Sequence, residues 1–93
     1  MKKQKLKIGE TGHLSDLSKG QTARVLGLHN NNQALKRRLL DMGITTGVKI
    51  HITHIAPLGD PISIAIRGYE LCIRKADMSE IDIEVIESWK LHL

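Results

Sequence analysis

The chain has 93 residues, a formal net charge of +4 and 41% hydrophobic residues, which makes one domain with one core. No apolar run is long enough for a membrane-spanning helix, the basic start lacks the apolar segment of a signal peptide, and the single cysteine, Cys72, excludes an intramolecular disulfide. These totals fit a soluble protein in a reducing compartment, the cytoplasm. With no Phe, and Tyr69 and Trp89 as the only aromatics, the core must consist of Ile, Leu and Val. Four lysines (Lys2, Lys3, Lys5, Lys7) fall in the first seven residues, so the body is near neutral and the high pI says little about its surface.

In chain order, residues 1–13 are polar and lysine-rich and read as a flexible basic tail, a solvated extension in preference to a nucleic-acid or lipid-binding arm. Leu14 to Ser18 is a short capped turn. Lys19-Gly20 turns the chain into a first strand, Gln21–Leu28, with Ala23 and Val25 on one face and Thr22 and Arg24 on the other, although Leu26 and Leu28 blur the pattern. His29 to Asn32 breaks the strand and offers an N-cap at Asn31 or Asn32 for a helix from Gln33 to Met42. Leu35, Leu39 and Met42 form its inward stripe with Leu40 on the flank. Lys36, Arg37 and Asp41 face water, Arg37 and Asp41 being an i,i+4 pair. Gly43 ends the helix in the left-handed C-cap position, and Thr45-Thr46-Gly47 leads into the next strand.

From Val48 to Lys75 the apolar residues alternate with polar ones in three runs. Val48, Ile50 and Ile52 share a face, as do Ile62, Ile64 and Ile66, and then Tyr69, Leu71 and Ile73. Period two is the mark of half-buried strands. A two-residue loop at Gly68-Tyr69, with Gly supplying the first position of a type II′ turn, pairs Ile66 with Leu71 and Ile64 with Ile73. A helical turn over Ala76 to Glu80 and a short fifth strand, Ile81–Val85, close a body spanning 14–86. Residues 87–93 are a C-terminal tail, with room for a short helix or strand. The fold class expected is mainly β: a small, partly open barrel of about five antiparallel strands with one α-helix after the first strand. An OB-like barrel competes, but its helix usually follows the third strand.

Five histidines and one cysteine raise the question of a metal. His51 and His54, three apart on a regular strand, point to opposite faces and cannot chelate one ion together. His13, His29 and His92 lie in loops or tails, and no C-x-x-C, H-E-x-x-H or H-x-x-x-H occurs. An inter-chain site using His54 or Cys72 has no support beyond their presence. Leu58-Gly59-Asp60-Pro61 opens into a strand and lacks a following Lys-Ser/Thr, so it does not match a phosphate loop. Asp60 reads instead as the extended residue before Pro61 in a turn. No serine has an obvious base beside it in sequence, no carboxylate pair sits in an apolar run, and an enzyme is not expected. Nucleic-acid binding lacks an aromatic platform, and Lys36, Arg37, Arg38, Arg67 and Arg74 are interleaved with Asp41, Glu70 and Asp77.

Three stretches, LSDLSKGQTARVLGL, LKRRLLDMGITTGVKI and APLGDPISIAIRGYELCIRKADMSEIDIE, together resemble the ferrous-iron transport protein A family, FeoA, from Leu14 to about Glu84. L-x-x-M-G-I-x-x-G, and A-P-L-G-D-P-I followed by R-G-Y-E-L, carry the likeness. The resemblance implies an SH3-like barrel with the helix after the first strand. It also implies a cytosolic accessory protein of bacterial ferrous-iron uptake, acting with the FeoB permease and its cytosolic GTP-binding (G) domain. On this footing the expected role is docking. The candidate partner-binding residues are Leu58, Gly59 and Asp60 in the loop Ala56–Pro61, Tyr69 at the hairpin tip and Arg37 on the helix. No cofactor is firmly expected and no direct membrane insertion. The alternatives are a carrier or regulator that binds Fe(II) or another divalent transition metal weakly, and a small basic nucleic-acid-binding barrel; among partners, a second copy of the chain, giving a homo-oligomer, is left open.

Overall fold

A sheet with aliphatic residues on one side must cover that side, and this chain does so by rolling a single sheet over itself. The computed structural model describes residues 6–28 and 32–88, with backbone alone for 87 and 88. The expected loop His29-Asn30-Asn31, the first five residues and 89–93 lie outside these. The strands are β1 (Thr11–His13), β2 (Gln21–Leu28), β3 (Lys49–Ile55), β4 (Ile62–Ile66), β5 (Tyr69–Ile73) and β6 (Ile81–Ser88). A 3-10 turn, Leu14–Asp16, follows β1, helix α1 (Gln33–Asp41) follows β2, and a one-turn helix α2 (Lys75–Met78) precedes β6. The sheet is antiparallel, in the order β1-β6-β2-β3-β4-β5.

The inner face is the alternating set read from the sequence. Val25, Ile50, Ile52, Ile64, Ile66, Ile81, Ile83 and Val85 are all buried. Strong curvature needs places where the ladder slips, and these occur between Thr22 and Ala23, between Val25 and Gly27, and between Ile52 and His54. The 3-10 turn and α2 touch each other, so the two ends of the chain's roll meet over Leu14, Leu17 and Met78, which are buried between them. Among the described residues the core is wholly aliphatic apart from Met78.

Helix α1 follows from its capping residues. The Asn32 side chain accepts the Leu35 amide at 3.1 Å, which satisfies one of the first-turn donors. At the other end Gly43 has φ +90°. Its amide bonds the Leu40 carbonyl at 2.9 Å and the Ile44 amide bonds the Leu39 carbonyl at 2.9 Å, the paired bonds of a Schellman motif. Ile44 is thereby driven into the core beside Leu39. The helix draws its ion pair from Arg38 to Asp77, at 3.4 Å, where the sequence had suggested Arg37 with Asp41.

Three expectations are corrected. The β4–β5 turn is Arg67-Gly68, not Gly68-Tyr69: Ile66 pairs with Tyr69 and Ile64 with Leu71. Both turn residues have positive φ, 49° at Arg67 and 86° at Gly68, as a type I′ hairpin requires. The register is displaced by two residues, and because strand faces repeat every two, each side chain keeps its face. The strands number six, not about five, because the end of the expected basic tail is paired. Thr11–His13 lies against β6, and Gly9 donates to the Val85 carbonyl at 2.8 Å. Such an edge strand is held through its backbone and needs no apolar alternation, so periodicity cannot reveal it. The last strand likewise continues beyond Val85 to Ser88.

Gly43 combines a left-handed backbone with a close neighbour. A Cβ there would sit 2.6 Å from the Tyr69 hydroxyl oxygen on a backbone already at φ +90°. We expect Gly43→Ala to lower stability by about 1–3 kcal/mol in urea unfolding, through left-handed strain and the clash. In a Tyr69→Phe background, itself lacking the Met42 bond, Gly43→Ala should cost only the strain portion.

Candidate partner-binding site

The loop Ala56–Pro61 joins β3 to β4 and is braced from within. The Gly59 amide bonds the Ala56 carbonyl at 2.7 Å, and the Ala56 amide bonds the Pro61 carbonyl at 3.2 Å. Gly59 has φ +90° and the Asp60–Pro61 peptide bond is cis. The Asp60 carboxylate accepts the Lys75 amide at 2.9 Å. It thus serves an orphan donor at the start of α2, whose own N-cap residue, Arg74, gives no side-chain cap. Asp60 and Gly59 therefore shape the loop. What the loop presents is Leu58, 96% exposed, an apolar side chain held out on a closed turn.

Tyr69 and Arg37 stand elsewhere. β4 separates the loop from the hairpin turn, about 13 Å at ~3.3 Å per residue, so Leu58 and Tyr69 lie at opposite ends of one strand. Tyr69 is 45% exposed, and its hydroxyl donates to the Met42 carbonyl at the end of α1. It ties hairpin to helix, and Arg67 adds a 3.5 Å bond to the Thr45 hydroxyl. Arg37 is exposed and lines a shallow depression with Gln33, Ala34, Lys36, Leu40 and Asp41. The five candidate residues thus fall into a loop group (Leu58, Gly59, Asp60), a hairpin residue (Tyr69) and a helix residue (Arg37). Sequence reasoning gave Leu40 only a flanking role, yet it is 49% exposed and is the apolar element of the helix surface.

The histidines need one correction. Ile52 and Ile55 both turn toward the core, with Thr53 and His54 between them, because the β3–β4 register slips there. His54 opposes Ser63 and His51 opposes Ala65, residues that alternate with buried Ile62, Ile64 and Ile66. His51 and His54 therefore share the outer face, which a regular strand forbids. His51 Nδ1 lies 2.7 Å from the Thr22 hydroxyl. Cys72, also exposed, lies with its Sγ 3.5 Å from the Ser63 hydroxyl. Elsewhere His13 bonds Asp82 at 3.2 Å. Among the described residues no three His, Cys, Asp or Glu side chains gather as a metal site, and no helix is long and apolar enough to cross a membrane.

Comparison with known proteins gives these surfaces a context. Residues 12–85 match the family model described as the FeoA domain. A fusion protein of Porphyromonas gingivalis, "Fe(2+) transport protein A/Fe(2+) transporter FeoB", is 32% identical over 75 residues, covering 81% of this chain. The match spans 9% of that relative's length. The solution structure of a FeoA-like protein from Clostridium acetobutylicum superposes with a TM-score of 0.77 at 32% identity, covering 89% of this chain and 93% of that one. Stenotrophomonas maltophilia FeoA, crystallised with zinc and described as a prokaryotic SH3 domain protein, superposes with a TM-score of 0.67 at 21% identity, over 77% of this chain and 88% of that one. At that identity the likeness concerns the fold, which is SH3-like.

Removing the Asp60 carboxylate tests its structural reading. Asp60→Ala should cost about 1 kcal/mol in chemical denaturation and speed exchange of the Lys75 amide. A variant as stable as wild type, with that amide still protected, would show that the bracing lies elsewhere.

Proposed function

The chain belongs to the FeoA domain family, and from that premise we propose that it is a non-catalytic, cytosolic accessory protein of bacterial ferrous-iron uptake that docks on the cytosolic GTP-binding part of a FeoB-type permease. The fusion of a related domain to a FeoB transporter in one polypeptide of P. gingivalis supports the pairing, since a covalent link keeps two partners at high effective concentration. The observation that carries the docking reading here is Leu58. An apolar side chain 96% exposed on an internally bonded loop has its conformational cost already met in the fold, and preorganisation of that kind favours an interface anchor.

In this reading Leu58 enters an apolar pocket of the permease domain, while Gly59 and Asp60 hold the loop in the shape that presents it. Tyr69, at the other end of β4, and Arg37, on α1, remain outside the loop contact. Nothing in the mechanism requires a reacting group. Binding changes which surfaces of the permease domain are free, and the barrel serves as a rigid mount.

The test is isothermal titration of the permease's cytosolic domain with wild-type protein, Leu58→Asp and Arg37→Glu. We expect Leu58→Asp to weaken binding at least tenfold, about 1.4 kcal/mol or more, and Arg37→Glu to change it less than about twofold. Equal affinity for wild type and a folded Leu58→Asp variant would take the loop out of the interface. An anaerobic Fe(II) titration separates the roles further, since tight stoichiometric uptake of Fe(II) by the chain alone would favour a carrier.

A further inference from the structure

β5 is an outer strand of the sheet, and its free edge has a definite chemical pattern. In a two-residue hairpin the pair flanking the loop exchanges backbone bonds, and pairs alternate from there. Tyr69, Leu71 and Ile73, opposite Ile66, Ile64 and Ile62, therefore turn their amides and carbonyls toward β4. Glu70 and Cys72, opposite Ala65 and Ser63, turn theirs the other way, and among the described residues no element pairs with that side. Arg74 continues the strand in extended conformation, φ −74° and ψ 141°. Glu70, Cys72 and Arg74 are all exposed. β5 has no proline, no bulge and no inward charge, three of the devices that blunt an edge; its outward charges, Glu70 and then Arg74, are of opposite sign.

We infer that two copies of this chain join along β5, antiparallel and about a two-fold axis at Cys72. Charge selects both the occupant and the register. A two-fold centre at Glu70 would set Glu70 against Glu70 of the second copy, and a centre one residue later would set it against Cys72. A centre at Cys72 sets Glu70 of each copy opposite Arg74 of the other, giving two opposite-charge cross-strand pairs, with the two Cys72 residues facing each other. Opposite charges directly across antiparallel strands are favourable and like charges are not. The edge is therefore complementary to itself in that register. A two-fold contact doubles every such match, which is how isologous dimers are selected. The contact is short, so the dimer is weak and forms reversibly as concentration rises. It leaves Leu58, on the β3–β4 loop, out of the strand pairing.

Sedimentation equilibrium over micromolar to millimolar concentration tests this, with wild type, Glu70→Arg, Arg74→Glu and the double exchange Glu70→Arg with Arg74→Glu. Circular dichroism confirms that each variant is folded. Each single reversal replaces both cross-strand attractions with repulsions and should raise the dimer dissociation constant about tenfold or more. The double exchange restores opposite charges across the axis and should return the constant to within about threefold of wild type. Copper-phenanthroline oxidation reads the register, because residues paired across antiparallel strands lie within disulfide reach. Cys72–Cys72 dimers should form rapidly in wild type and the double exchange, and slowly in the single variants. A wild-type protein still monomeric at millimolar concentration overturns the inference. So do folded single variants that dimerise as well as wild type, or a double exchange that stays monomeric.

Discussion

Everything in this molecule depends on one aliphatic surface having to bury itself. The buried apolar residues of β2, β3, β4 and β6 are Ile and Val together with Ala23, and among the described residues no second sheet lies over them. Burial of such side chains contributes about 1.5–3 kcal/mol each, and the only way to realise it with one sheet is to curl it. Curling costs ladder regularity, which is why the register slips in β2 and β3. Leu35 and Leu39 of α1 and Leu14, Leu17 and Met78 from the connecting turns close what the strands leave open.

The irregularities that curvature demands also set the outer surface. The slip at Thr53–His54 places His51 and His54 on one side, while Leu26, next after inward Val25, faces out by ordinary alternation and is an exposed apolar residue. Loops at the rim are then fixed by a few backbone bonds, as the Asp60–Lys75 and Tyr69–Met42 bonds illustrate. In the proposed docking role a loop already fixed by its own backbone bonds suits recognition, because partner binding then orders little that was not ordered already.

Much of this was legible in the chain. The alternating Ile residues of β3 and β4, the cap at Asn32, the helix and its stop at Gly43 all follow from period, capping chemistry and the conformational freedom of glycine. The hairpin register was read two residues off, because Arg67 adopts a left-handed conformation that sequence statistics reserve for Gly, Asn or Asp. The error left each residue on its correct face, so the predicted core survived it. β1 was missed because three backbone-paired residues leave no pattern. The candidate residues were legible only singly. That Leu58 and Tyr69 sit at opposite ends of β4, and that Asp60 is spent on the α2 amide, depends on distances no spacing encodes.

The central claim is that a preformed rim loop, and not a reactive centre, carries the function. Amide hydrogen exchange of the labelled chain, followed with and without the cytosolic domain of a FeoB-type permease, tests it most directly. The account predicts new protection centred on Ala56–Gly59, with the α1 depression around Arg37 and Leu40 exchanging as before. Protection confined to α1 and the hairpin turn, with the loop unchanged, would contradict it.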